Sequence, residues 1–313
     1  MATLGKYIVK GLATPLARRY VAAAKSVDIQ VNDKTGRANN NMIIIFCAFM
    51  ILSNILNSTT ILPVSTLYSS IATVSMNKPP VNSLNLELIT ELTYSLQELE
   101  KSKCRGVILT SGLPTIFSAG LDILEMYKPD MKRAANFWQS LQELWLTLYG
   151  TGLPTAAAIN GSSPAGGCLL ALSCEYRVFV EGKHTIGLNE TKLGIVAPKW
   201  FQDSLMNVIG TRQSEISLLR GILYSPEDAL KIGLVDELAT DKGDAIAKCE
   251  KYISSYAKIS PDARAATKQQ IRKAAISWLI KNRDIDTKIF LSFLEQPQVQ
   301  KGLELYIQSL KKK

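Results

Sequence analysis

Histidine is nearly absent from this chain. His184 is the only one among 313 residues, and the five cysteines (Cys47, Cys104, Cys168, Cys174 and Cys249) form no CxxC pair. One histidine with scattered thiols supplies no metal-ligand cluster, so no metal site is expected. An odd, dispersed set of cysteines also fits buried thiols in a reducing compartment better than a disulfide framework. There is no Gly-x-Ser-x-Gly elbow, and His184 has no evident nucleophile partner, which argues against a serine-hydrolase triad. Neither GxGxxG nor GxxxxGK[ST] occurs, which leaves dinucleotide and P-loop phosphate binding unsupported. The longest unbroken apolar run, residues 42–52, soon meets Ser53, Asn54 and Asn57. It falls short of the roughly 20 residues that span a bilayer, and no stable membrane insertion is expected.

Charge is uneven. The formal net charge is +9, yet residues 1–40 hold seven basic residues against two acidic ones, and Lys311, Lys312 and Lys313 close the chain. The body has no basic stripe interleaved with aromatics, so no nucleic-acid partner is expected. The first acid is Asp28; before it, Lys and Arg alternate with small and apolar residues. That composition is the signature of a mitochondrial leader, and residues 1–26 are read as a transit peptide rather than a disordered basic arm.

Residues 27–32 alternate strictly, with Val27, Ile29 and Val31 on one side, and Asp33-Lys34-Thr35-Gly36 forms a turn signal. The matching strand, residues 71–76, comes only after residues 37–70. Setting that segment aside leaves an uninterrupted hairpin, so 37–70 is read as a poorly ordered insertion at the hairpin tip. Its lean toward Asn, Ile, Phe, Ser and Thr suits translated intron sequence; a membrane anchor is the alternative. Residues 77–82 read as an extended, proline-containing link.

A helix follows on Leu88, Ile89, Leu92, Leu96 and Leu99, then a buried strand at 106–110. A second helix carries Ala134, Phe137, Trp138, Leu141, Leu144, Trp145 and Leu148 on its apolar face. Residues 155–159 and 175–180 read as strands, with a helix at 168–173 between them. Helices are expected at 200–209, 212–220, 226–232, 245–256, 262–280, 284–294 and 299–310. Strands alternating with helices, then helices alone, predict an α/β fold with a helical C-terminal part. The expected division is a core over 27–257 and a helical region over 258–313.

Two glycine-bearing loops each follow a buried strand: Ser118-Ala119-Gly120-Leu121-Asp122 and Pro164-Ala165-Gly166-Gly167-Cys168. Small residues let a ligand approach the backbone, and the second loop opens a helix whose free N–H groups favour an anion or developing oxyanion. Either loop alone is equally well read as tight turn chemistry. The third stretch, residues 186–198, sets Glu190 among apolar residues with Asn189 beside it. Glu190 reads either as a lone catalytic base or as an acid that starts a helix.

Together FSAGLD, NGSSPAGGCLLALSCEYR and IGLNETKLGIVAP resemble the crotonase superfamily, the enoyl-CoA hydratases and isomerases. The likeness runs from about residue 27 to 311 once 37–70 is set aside. It implies a spiral of ββα units, a homotrimer, an acyl-CoA substrate and a location in the mitochondrial matrix. It also implies an oxyanion hole made by the backbone N–H groups of Leu121 and Gly166. Ser118, Ala119, Gly120, Leu121, Asp122, Gly166 and Asn189 are the implied substrate-binding positions, with Glu190 catalytic. Hydratases of the superfamily use two glutamates; Leu169 stands where the first would be, and Leu cannot activate water. The expected reaction is therefore migration of a 3-cis or 3-trans double bond to 2-trans in the beta-oxidation of unsaturated fatty acids. Glu190 would shuttle one proton from C2 to C4, with no cofactor beyond the coenzyme A of the substrate. A hydratase, another crotonase-type enzyme, or a non-catalytic member binding CoA or RNA are the alternatives.

Overall fold

The computed structural model describes residues 27–32, 70–102 and 104–311. Residues 1–26, read from the sequence as a transit peptide, and, apart from Ser70, residues 37–70, read as an insertion, lie outside the described residues. The strands on either side of residues 37–70 pair as the alternation predicts. β1 (Val27–Asn32) lies antiparallel to β2 (Ile71–Met76), with Val27 opposite Met76 and Asn32 opposite Ile71.

From β2 onward the main sheet is parallel. It continues through β3 (Gly106–Ser111), β4 (Thr155–Ile159), β6 (Tyr176–Val180) and β8 (Glu237–Ala239), in the order β1-β2-β3-β4-β6-β8. Parallel neighbours need crossovers, and helices supply them. α1 (Leu86–Lys101) is capped by the Asn85 side chain, which accepts the Leu88 N–H, and α2 (Met131–Gly150) by Asp130. Both faces of the sheet are buried. Ala72, Val74, Val107, Leu109, Ala157 and Ile159 join the core of α1 and α2. Ile108, Ala156, Ala158 and Val178 meet Ala245, Cys249 and Ile253 of α7 (Lys242–Ser254). Gly106 lets α7 come close: a Cβ there would stand 2.6 Å from Ile253 Cγ2.

Between each strand and its helix the chain makes a second, shorter extended contact. Leu84 bridges Leu121, Ile116 bridges Ser162, and β5 (Ser163–Pro164) pairs with β7 (Ile186–Gly187). Strand, short bridge, helix, repeated, is the spiral of ββα units. Its second layer holds both glycine loops and the Glu190 segment. α3 (Gly166–Ser173) follows β5 directly. α4 (Lys199–Ile209), α5 (Thr211–Arg220) and α6 (Pro226–Lys231) follow β7.

α8 (Pro261–Leu294) and α9 (Pro297–Lys311) complete the fold. α8 is one helix where the sequence suggests two. The polar run at 281–284 contains neither Gly nor Pro, and its side chains find partners: Asn282 donates to the Trp278 carbonyl and Arg283 pairs with Glu143 at 2.9 Å. Further on, Asp286 Oδ2 accepts from Trp138 Nε1, Gln142 Nε2 and Trp200 Nε1 at 2.7, 2.8 and 3.2 Å, joining α8 to α2 and α4. Residues 77–82 are also not an extended link. They turn, and Asn82 takes the left-handed conformation, with φ of 49°.

Candidate active site

The first glycine loop is held from below by Asn82, which is fully buried. Its Nδ2 donates to Ser111 Oγ, the Phe117 carbonyl and the Met76 carbonyl at 2.8, 3.0 and 3.3 Å, and its Oδ1 accepts the Lys78 N–H. The Ser118 hydroxyl donates to the Asn82 carbonyl and accepts the Gly120 N–H. The Ala119 N–H goes to the Val81 carbonyl; at the Leu84–Leu121 bridge the Leu84 N–H donates to the Gly120 carbonyl and the Leu84 carbonyl accepts the Asp122 N–H. Asp122 accepts the Leu124 N–H and the Lys78 ammonium. Ser118, Ala119 and Asp122 thus have polar groups engaged with residues 78–84 and with the turn that follows the loop. The Leu121 N–H alone among residues 119–122 has no acceptor.

The second loop is set by three short-range demands. Ala165 adopts φ 48° and ψ −119°, a conformation that L-residues rarely occupy, and its N–H is tied to the Gly187 carbonyl at 2.8 Å. Strain of this kind persists only where the surroundings fix it. Gly167 has no room for a side chain: a Cβ would stand 2.5 Å from the Ser118 carbonyl oxygen. Gly166 opens α3, so its N–H has no partner within the helix.

The two loops meet there. A Cβ on Gly120 would be 3.0 Å from Gly166 N, and one on Gly166 would be 3.2 Å from Leu121 N. Two unpartnered backbone N–H groups, Leu121 and Gly166, are therefore neighbours.

Glu190 begins a 3-10 turn (Glu190–Leu193) that ends on left-handed Gly194. The Ile195 N–H bonds back to the Glu190 carbonyl, and Thr191 Oγ1 donates to the Leu218 carbonyl of α5. The Glu190 side chain is buried, and neither carboxylate oxygen has a hydrogen-bond partner; Asn189 Oδ1 beside it is likewise unpartnered. Burial pushes the carboxyl up to about 7, with the nearness of its own backbone N–H offsetting part of the rise. Cys168, in the first turn of α3, feels that carboxylate: burial first and Glu190 second push its thiol up. Leu169 is buried in the core, so no second acid comes from this turn. No group of three or more metal-ligating side chains exists among the described residues.

A buried carboxylate near neutrality, a turn that fixes it and two unpartnered amides on adjoining loops make up the site. Residues 66–313 match the enoyl-CoA hydratase/isomerase family. The chain belongs to that family. It is 48% identical over 247 residues to the Mus musculus protein named enoyl-CoA delta isomerase 1, mitochondrial, covering 78% of this chain and 85% of the relative. The Homo sapiens protein of the same name is 44% identical over 245 residues, covering 78% and 81%. The crystal structure of human mitochondrial delta3-delta2-enoyl-CoA isomerase superposes with a TM-score of 0.75 at 44% identity, over 77% of this chain and 94% of that one. An enoyl-CoA hydratase from Bacillus halodurans shares the fold at 23% identity and a TM-score of 0.67.

Asn82, the support of the first loop, lay outside the motifs, and Cys168, which ends the second loop, carried no sign in sequence that it would neighbour Glu190. A buried asparagine before a loop has no spacing signature, because its partners lie 6, 29 and 35 residues away.

Proposed function

We propose that this chain isomerises 3-cis- and 3-trans-enoyl-CoA to 2-trans-enoyl-CoA. The observation that carries the proposal is Glu190: buried, unpartnered, balanced near pH 7, and facing no second acid from the position of Leu169. The thioester oxygen binds at the N–H groups of Leu121 and Gly166. Glu190, as carboxylate, takes a proton from C2, and the C–H electron pair moves into a dienolate whose negative charge rests on that oxygen. Each amide donor in such a hole is worth about 3–4 kcal/mol to the transition state in enzymes where one has been removed. Glu190, now protonated, gives the same proton to C4, and the double bond moves to C2–C3. Atoms and charge balance within the substrate, so the reaction asks for no redox cofactor. A carboxyl balanced near the working pH both accepts and returns a proton readily.

The relatives' names support a mitochondrial location, and we place this chain in the matrix. We also propose a homotrimer, since α8 exposes Ile271, Ile280, Ile285 and Ile289 to solvent. The test is to supply purified protein with 3-cis- and 3-trans-enoyl-CoA and follow the conjugated product. Glu190→Gln is expected to lose at least a thousandfold in kcat while still binding acyl-CoA, an effect on the order of that for removing an essential proton carrier. Undiminished migration in that variant would overturn the mechanism. Hydration of 2-enoyl-CoA without migration would favour a hydratase.

A further inference from the structure

The segment that starts at the Leu121 amide runs through a 3-10 turn (Ile123–Glu125) to Lys128, and it ends in strain. Lys128 has φ of 45°, the left-handed region that favours glycine. What holds that end is not in the loop but in the last helix. Gln300 of α9 accepts the Lys128 N–H through Oε1 at 2.8 Å. Its Nε2 donates to the Met126 carbonyl at 3.0 Å and to the Leu294 carbonyl, at the end of α8, at 2.8 Å. One amide side chain therefore closes three bonds, two of them across 172 and 174 residues and the third back to the end of α8.

The same helix rests on the base. Gly302 brings the α9 backbone to the Glu190 turn, where a Cβ would lie 3.4 Å from the Leu193 carbonyl oxygen. Val299 and Leu303 on either side are buried in the core. α9 thus touches the segment that carries one oxyanion amide and the turn that carries the carboxylate. These two pieces come from different units of the spiral.

We propose that Gln300 is a positioning residue: through Lys128 and Met126 it fixes the Leu121 amide relative to Glu190, and so sets the geometry in which the proton moves. This rests on the isomerase reading above. A misplaced donor weakens the transition state more than substrate binding, because the oxygen carries full charge only in the dienolate.

The test compares Gln300→Met, which keeps length and loses all three bonds, with wild type, under conditions where thermal melting shows both folded. Gln300→Met is expected to lower kcat about tenfold or more while KM changes less than about twofold. Adding Lys128→Gly, which removes the left-handed strain, is expected to restore part of kcat. If Gln300→Met does not fold, Gln300→Glu takes its place; it keeps the acceptor for the Lys128 N–H and loses both donor contacts. It is expected to lower kcat with KM held. Unchanged kcat in the folded variant, or a loss that Lys128→Gly does not relieve at all, would show a purely structural tie and overturn the proposal. Wild type is assayed in parallel: an inactive wild type refutes the isomerase reading, whereas an active wild type with an equally active variant refutes only the role of Gln300.

Discussion

Glu190 is held in an environment that works against its own charge. Its carboxyl ionises near 7 when folded and near 4.5 when exposed, because burial removes water and no donor replaces it. The folded chain therefore binds this proton more tightly than the unfolded one. Stability from this group is fully present below about pH 4.5 and is lost as pH rises through about 7. Glu190→Gln removes the penalty and should be more stable than wild type by roughly 3 kcal/mol at pH 8, with little difference at pH 4.5. Urea unfolding at the two values checks it; equal midpoints at pH 8 would mean the carboxylate is solvated. The same titration should govern turnover: kcat/KM is expected to fall below about pH 7 as the carboxylate is protonated, and a profile flat down to pH 5 would exclude Glu190 as the base. At this scale the sequence was most readable where chemistry needs a special backbone. Gly120, with φ of 86°, and Gly167, with a Cβ position 2.5 Å from the Ser118 carbonyl oxygen, announced the loops because a side chain does not fit at either. The unpartnered state of Glu190 was not readable, since it depends on which groups fail to arrive.

Elements follow the same division. α2 was legible because its seven apolar positions recur at helical spacing and all seven are buried. β5 and β7 are two residues each, too short for any alternation to show. β8, Glu237–Ala239, has one buried residue and is a strand only because β6 lies beside it. The turn at 77–82 was missed because its shape comes from Asn82, whose bonds are long-range. Asn82→Ala should cost about 2–3 kcal/mol, since it leaves the Phe117 carbonyl without its donor and the Lys78 N–H without its acceptor, while the Met76 carbonyl and Ser111 Oγ keep the Gly112 and Leu113 N–H groups. It should also lower kcat by loosening the loop that ends at Leu121, which differential scanning calorimetry and turnover together would show. Helix α8 depends on Asp286 in a comparable way. Asp286→Ala strands two indole N–H groups, while Gln142 keeps the Arg283 carbonyl and Thr287 as acceptors, and should lower the urea midpoint by the equivalent of about 3 kcal/mol.

At the scale of the whole molecule, the apolar side chains exposed along α8 call for cover. Ile271 is 77% exposed, and Ile280, Ile285 and Ile289 are each more than half exposed. If a homotrimer forms through them, replacing Ile285 and Ile289 together with glutamate should shift the sedimentation coefficient from trimer toward monomer. An unchanged coefficient would place the interface elsewhere.

The register of β1 on β2 has its own consequence for the length of chain between them. Asn32 faces Ile71 directly, at the outer edge of the sheet, so the backbone leaves and re-enters the fold at a single point. Whatever joins those two residues, the fold asks only that its ends meet. Loop-closure entropy grows with the logarithm of length, so replacing residues 33–69 by a four-residue turn, with Ser70 and its bond to the Arg105 N–H kept, should stabilise the chain by only about 2 kcal/mol and leave turnover intact. A shortened chain that fails to fold or to turn over would show the segment to be needed. At this point the fold fixes only the two chain ends, so added sequence there costs it little more than closure entropy.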